Sequence, residues 1–302
     1  MGPTKSFLGI RFWTGTAEKL LAEADQLGGL ITVPSAPSLA EMGEDPFLKL
    51  AYQASDWSVV DGGYVALILR FVFQQRIPRI SGLQILQKLL GVDAERAIPT
   101  ELRRILWVMP SVPEAERVAK LVRELELPSK QQRFHIAPYY RKDEDYQDEV
   151  LADVVGEFNP DWIILGIGGG KQEKLGLCLR NRFRSGMDGG GHDRDQPRPV
   201  ILCTGGAIAF LTGGQARIPT WADRIYLGWA IRILDNPRVF LARYWKAAWA
   251  FPLTLWQCRD QLFDPAAEIH AIAKIAHGPG GHRGAGALAS TLVNTNRQAT
   301  HH

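Results

Sequence analysis

A chain of 302 residues that is 46% hydrophobic, 22% charged and 9% aromatic can bury a substantial core as one large domain or two modest ones. Collagen-like, coiled-coil and wholly disordered classes are excluded. The formal net charge is only +3 and no nucleic-acid-binding motif accompanies it, so nucleic acid is not expected as a partner. No run approaches the ~20 consecutive apolar residues of a spanning helix, and the opening MGPTKSFLGIRFWTG lacks the apolar stretch of a secretory signal. Cys178, Cys203 and Cys258 are odd in number and outside metal-ligand spacing; a reducing cytoplasm is the expected setting.

In chain order, a helix is predicted over 16–27, where Ala17, Leu20, Leu21, Ala24 and Leu27 share one face. The run Leu30–Val33 reads as a strand stopped by Pro34. A helix over 46–54, a short strand Trp57–Val60, a helix from near Gly62 and another over 82–90 follow. Strand Ile105–Met109 is closed by Pro110, and helix 113–126 opens on Pro113 with Glu114 and Glu116 in its first turn. Strand Arg133–Ala137, helix 143–157, strand Asp161–Ile167 and a helix over 170–182 continue the alternation. Residues 184–199, rich in Gly and Asp, read as an exposed loop into strand Val200–Thr204. This β-α-β rhythm predicts an α/β fold: a mostly parallel sheet with helices on both faces.

From about residue 206 the pattern turns helical. Residues 216–259 hold seven cations against Asp223 and Asp235, and five of the nine tryptophans: Trp221, Trp229, Trp245, Trp249 and Trp256. Indole beside Arg on a helix suits an anionic bilayer interface; the competing reading is a helical subdomain with its tryptophans in the core. The expected organisation is a core over 1–214, a helical appendage over 215–262 and a flexible tail over 263–302.

Ligands of parallel α/β sheets bind where strand carboxyl ends meet helix N-termini. Four such junctions carry chemistry-bearing residues: the loop Thr32-Val33-Pro34-Ser35-Ala36-Pro37, Val60-Asp61-Gly62-Gly63, Gly166 through Glu173, and Cys203-Thr204-Gly205-Gly206-Ala207. Glycines there let backbone N–H groups approach a phosphate, although glycine at a strand-to-helix turn is also ordinary geometry. Gly166 through Lys171 is neither a dinucleotide fingerprint nor a P-loop, which weakens a nicotinamide-dependent oxidoreductase. Asp61 fits a general base that accepts a proton from a substrate hydroxyl, and it equally fits a helix N-cap. The pairs Asp143/Asp145 and Asp193/Asp195, with His192, do not directly follow apolar strands, so no metal site is predicted.

The ordered series TVPSAPSL, ASDWSVVDGG, RISGLQILQKLL, DWIILGIGGGKQEKL, GGAIAFLTG and RIPTWADRIYLGWAIRILDNPRVFLARY resembles the WecG/TagA/CpsF glycosyltransferase family over about residues 28–245. The resemblance implies a Rossmann-like core with a C-terminal helical appendage. It implies inverting, metal-independent transfer of a sugar from a UDP-sugar donor to a lipid-linked acceptor, with no cofactor, at the cytoplasmic face of the cell membrane. Thr32, Asp61 as base, and Gln172 take the catalytic positions. Gly168, Gly169, Gly170, Gly205, Gly206 and the appendage residues Arg217, Arg224 and Arg232 take the donor-binding ones. The chain departs from the family pattern at Pro34, Ala209 and Gly228, which admits a catalytically inactive membrane-associated partner as the alternative; homo-oligomerisation is left open.

Overall fold

The computed structural model describes residues 2–92, 96–141, 146, 148–185, 198–204, 206–213, 233–234, 237–257 and 262. Eight strands form one sheet: β1 (Thr4–Phe7), β2 (Ile10–Trp13), β3 (Gly29–Thr32), β4 (Trp57–Ser58), β5 (Ile105–Met109), β6 (Gln132–Ile136), β7 (Trp162–Leu165) and β8 (Val200–Cys203). Their spatial order is β1-β2-β4-β3-β8-β7-β5-β6. Every neighbouring pair is parallel except the β1–β2 hairpin at one edge. Ten α-helices are described: α1 (Ala17–Leu27), α2 (Ala36–Glu41), α3 (Pro46–Gln53), α4 (Gly63–Phe71), α5 (Gly82–Leu90), α6 (Val112–Glu124), α7 (Glu149–Phe158), α8 (Lys171–Ser185), α9 (Ala207–Leu211) and α10 (Pro237–Gln257). This is the Rossmann-like α/β architecture.

Strands β5, β7 and β8 are apolar at essentially every position because both faces are covered. Ile31, Trp57, Trp107, Ile164 and Leu202 point to the side packed by α1, α5 and α6. Their strand neighbours Leu30, Leu106, Val108, Ile163 and Ile201 point to the side packed by α3, α7 and α8. A third cluster joins the hairpin to α2, α3, α4 and α10 through Phe7, Leu39, Tyr52, Val65, Leu69 and Phe251.

Four local features depart from the sequence expectation. The β1–β2 hairpin was not anticipated, because its turn is Leu8-Gly9 (φ +56° and +72°) rather than the Asn-Gly or Asp-Gly that such turns favour. Leu8 accepts the left-handed conformation while its side chain is buried in the third cluster. Helix α2 was also unforeseen: Pro34 and Pro37 read as a loop, yet Pro37 lies in the helix's first turn and Ser38 Oγ accepts the Ser35 N–H at 2.9 Å. Strand β4 stops at Ser58, shorter than Trp57–Val60. Beyond it Asp61 N–H donates to the Pro34 carbonyl at 3.3 Å, and Pro34, having no N–H, cannot return a ladder bond. Helix α8 extends to Ser185, into the stretch expected to be loop.

Candidate active site

The strands β4, β3, β8 and β7 are consecutive in the sheet, so the four junctions after them share one edge. Direct contacts tie them together. Asp61 is bonded to Pro34 across the β4 and β3 loops, Ile80 N–H donates to the Val60 carbonyl at 3.2 Å, and Thr204 N–H donates to the Leu165 carbonyl at 3.3 Å. A Cβ at Gly82 would stand 2.8 Å from the Thr204 carbonyl oxygen, which shows how closely the N-terminus of α5 approaches the β8 loop. A Cβ at Gly170 would lie 3.7 Å from Glu41 Oε2, so the end of α2 adjoins the turn after β7.

Asp61 is half-buried and is not the N-cap of α4. Gly62 holds that position, with φ +92°. The acid therefore stands one residue outside the helix, at the strand-end turn. Gly62 and Gly168 (φ +95°) share a property: a Cβ added at either would meet nothing within 4 Å. Glycine is needed there for the backbone conformation, and the space beside both turns is open.

Thr32 and Gln172 lie below this rim, both fully buried. The Thr32 hydroxyl is 2.8 Å from Ser58 Oγ and 3.1 Å from Ser55 Oγ, and those two are 3.0 Å apart. This closed triangle of hydroxyls beneath the β3 and β4 loops fixes their spacing. Gln172 Nε2 donates to Glu173 Oε1 at 3.0 Å, while Gln172 Oε1 has no hydrogen-bond partner among the described residues.

Glu173, the last residue of the Gly166–Glu173 junction and given no role of its own from the sequence, organises the turn after β7. Its Oε2 accepts the Gly170 N–H at 2.6 Å, the reach-back of a third-position acid to the helix cap. Burial is the main cause that pushes its carboxyl above the usual 4.5; the Gln172 and Gly170 hydrogen bonds oppose that rise. The same buried acid raises the Cys203 thiol further, after burial itself. Gly170 N–H is thus already satisfied within the protein, leaving Gly168 and Gly169 as the turn's outward residues. Lys171, next in the chain, places Nζ 3.8 Å from the centre of the Tyr139 ring.

Two buried ion pairs brace the same helix from below. Lys174 Nζ meets Asp45 Oδ2 at 2.5 Å, while Asp45 Oδ1 caps α3 at Leu48 N–H. Arg180 is bidentate to Asp56 at 2.7 Å on both arms, and Asp56 also accepts the N–H of Leu30, the second residue of β3. Gly206 is exposed and caps α9. Gly205, Arg217, Arg224 and Arg232 lie outside the described residues, as do Asp143, Asp145, His192, Asp193, Asp195, Gly228 and the tail from 263. Among the described residues no three metal-ligating side chains come together.

The profile of the WecG/TagA/CpsF glycosyl transferase family matches residues 5–264. The chain belongs to that family. Two curated relatives carry the name N-acetylglucosaminyldiphosphoundecaprenol N-acetyl-beta-D-mannosaminyltransferase. The protein from Bacillus subtilis (strain 168) is 25% identical over 185 residues, which are 61% of this chain and 62% of the relative. The one from Bacillus spizizenii (strain ATCC 23059 / NRRL B-14472 / W23) is 24% identical over 217 residues, 70% of this chain and 74% of the relative. The match thus spans less than two thirds of the first protein. Within the family match, Asp61, Gln172 and the glycine turn all fall on the sheet edge just described.

Proposed function

We propose that this glycosyltransferase family member moves a sugar from a UDP-sugar donor onto a lipid-linked acceptor of the kind its relatives are named for, a polyprenyl diphosphate bearing an amino sugar. The observation that carries the reading is the family match over nearly the whole described chain, with Asp61 at an open, glycine-flanked strand end. The acceptor hydroxyl gives its proton to Asp61 as its oxygen attacks the anomeric carbon from the face opposite UDP, inverting the centre. General-base help of this kind is worth roughly 10²–10⁴ in rate.

The leaving diphosphate gains negative charge. The Gly168 and Gly169 amides and the N-terminal end of α8 face that charge favourably. Glu41 and Glu173 stand close by, and the burial that raises the Glu173 carboxyl favours its neutral form, which opposes an anion less. Arg217, Arg224 and Arg232 from the appendage supply the countercharge, so transfer needs no divalent ion. Thr32 and Gln172 act from beneath: Thr32 by fixing the β3–β4 loop spacing, Gln172 by presenting its amide at the turn after β7.

The appendage holds the enzyme to the inner face of the cell membrane. Helix α10 buries Phe251 and Leu255 against the core and turns Trp245, Trp249 and Trp256 outward at 67%, 69% and 65% exposure, which favours the interfacial reading of these tryptophans over a core one. Trp221 and Trp229 lie outside the described residues. No described helix is long and apolar enough to cross a membrane, so the attachment proposed is peripheral. The deciding assay supplies UDP-N-acetylmannosamine with a polyprenyl diphosphate N-acetylglucosamine and follows disaccharide-lipid formation. Turnover supports the proposal; binding of neither substrate overturns it.

A further inference from the structure

Helix α4 starts two residues after Asp61 and presents an apolar outer face that no described element covers. On that face Leu67 is 37% exposed, and Phe71 and Val72, at the helix end, are 71% and 67% exposed. Its inner face, Val65, Ala66 and Leu69, sits in the same cluster as Phe251 and Leu255 of α10. The outer face of α10 carries a stripe at helical spacing, Leu241, Trp245, Trp249, Leu253 and Trp256, each more than half exposed. The two helices therefore turn apolar residues outward from one shared cluster.

A specific bond joins them. Pro252 has no N–H, so it leaves the Ala248 carbonyl, four residues earlier, without its helical donor. Tyr64 supplies the replacement: its hydroxyl donates to the Ala248 carbonyl at 3.3 Å, and its ring meets Phe251 edge-on with centroids 6.1 Å apart.

Charge decides what covers these faces. Residues 62–81 and 237–257 together carry six cations (Arg70, Arg76, Arg79, Arg238, Arg243, Lys246) and no acid, while the rest of the chain is net −3; one acid from outside these segments, Glu44, lies 3.9 Å from Lys246 Nζ. The Arg70 guanidinium lies 5.6 Å over the Phe71 ring, an aromatic-cation pair at the outermost point of α4. A second copy of the chain would bring the same net-positive segments against these. An anionic bilayer offers both apolar depth for Phe71 and phosphate for the arginines.

We propose that the outer face of α4, acting with α10, is a bilayer-docking surface, so that the membrane contact extends onto the helix that directly follows the Asp61 turn. The proposal rests on the reading of α10 as a membrane-facing helix and extends it into the catalytic core. On it, the acceptor's sugar diphosphate is met at the bilayer surface by the Asp61 turn itself, without the enzyme having to extract the lipid.

The test measures sedimentation with vesicles of phosphatidylcholine mixed with phosphatidylglycerol, and of phosphatidylcholine alone, for the full chain and two double variants. One is Phe71→Ser with Val72→Ser; the other is Trp245→Ser with Trp249→Ser. Each is checked for folding by circular dichroism and for mass by light scattering. Removing the α4 pair should weaken partition into mixed vesicles about tenfold with the fold intact. Normal binding by the α4 variant and loss by the α10 variant would overturn the α4 proposal and leave the appendage reading standing. Failure of the unaltered chain to bind either vesicle would overturn the appendage reading as well. A dimer that the α4 variant converts to monomer, with vesicle binding unchanged, would assign the face to a second copy. Should the α4 variant melt early, Arg70→Gln with Arg76→Gln, both exposed, carries the same decision: weakened binding to the anionic vesicles supports the α4 surface and unchanged binding overturns it.

Discussion

Asp61 and Glu173 are two acids on one sheet edge with opposite requirements. As the proposed base, Asp61 must be ionised to take a proton. Replacing it by Asn keeps the shape of the turn and its backbone bond to Pro34, so folding should be unchanged while transfer falls by roughly 10²–10⁴; turnover within threefold of the unaltered enzyme would exclude it as the base. Glu173 is raised by burial, so the folded protein holds a proton that the unfolded chain releases. The stabilisation from that proton is full below the ordinary carboxylate value of about 4.5 and fades as pH rises through the raised folded value. Glu173→Gln removes the titration. Between about pH 4 and pH 8 the melting temperature of the variant should therefore move upward relative to that of the unaltered protein, and parallel profiles would contradict the assignment. Glu173→Ala, which also frees the Gly170 N–H, should cost about 1 kcal/mol as a lost cap.

Among the elements, α8 depends on charges buried beneath it. Asp56→Ala would leave the Arg180 guanidinium buried without its carboxylate and strip the Leu30 N–H of its acceptor. A loss of about 3–5 kcal/mol is expected, read from denaturant unfolding, and a change under 1 kcal/mol would show that the pair is relieved by water. Such pairs were not legible in the sequence, because Asp56 and Arg180 are 124 positions apart and follow no local pattern. The parallel strands were legible for the opposite reason: a strand buried on both faces is a short apolar run, and Ile105–Met109 was found to the residue. Local chemistry misled where a turn or cap was unusual, as at Leu8-Gly9 and at the two prolines around α2. At the site, the glycine turns and Asp61 could be read from their place after apolar strands. The burial of Thr32 and Gln172 could not, since it arises from Ser55, Ser58 and Glu173 closing around them.

For the molecule as a whole, the appendage helix is also a structural lid on the third core cluster. A chain ended at residue 214 would expose Leu39, Val65 and Leu69 where Phe251 and Leu255 now cover them, so it should lose stability along with membrane binding. Phe251→Ala isolates the packing contribution: about 3–5 kcal/mol of destabilisation is expected from the cavity, with the outward tryptophans untouched. Near-normal thermal stability in that variant would mean α10 docks by other contacts. Metal independence is checked at this scale too. Chelator treatment should leave turnover within twofold, and loss of activity restored by magnesium or manganese would overturn it.

The bond between Tyr64 and the Ala248 carbonyl carries an implication for how the family diversifies. The hydroxyl at position 64 is useful only while position 252 lacks an N–H, because any other residue there could close the helical bond to Ala248 from within. The two positions, 188 apart in sequence, are thus one hereditary unit. Relatives that lack proline at the position of Pro252 should be free to carry Phe or Leu at the position of Tyr64, and relatives that keep the proline should keep a donor. In a laboratory selection for stability, Tyr64→Phe should be tolerated far better in a Pro252→Ala background than alone.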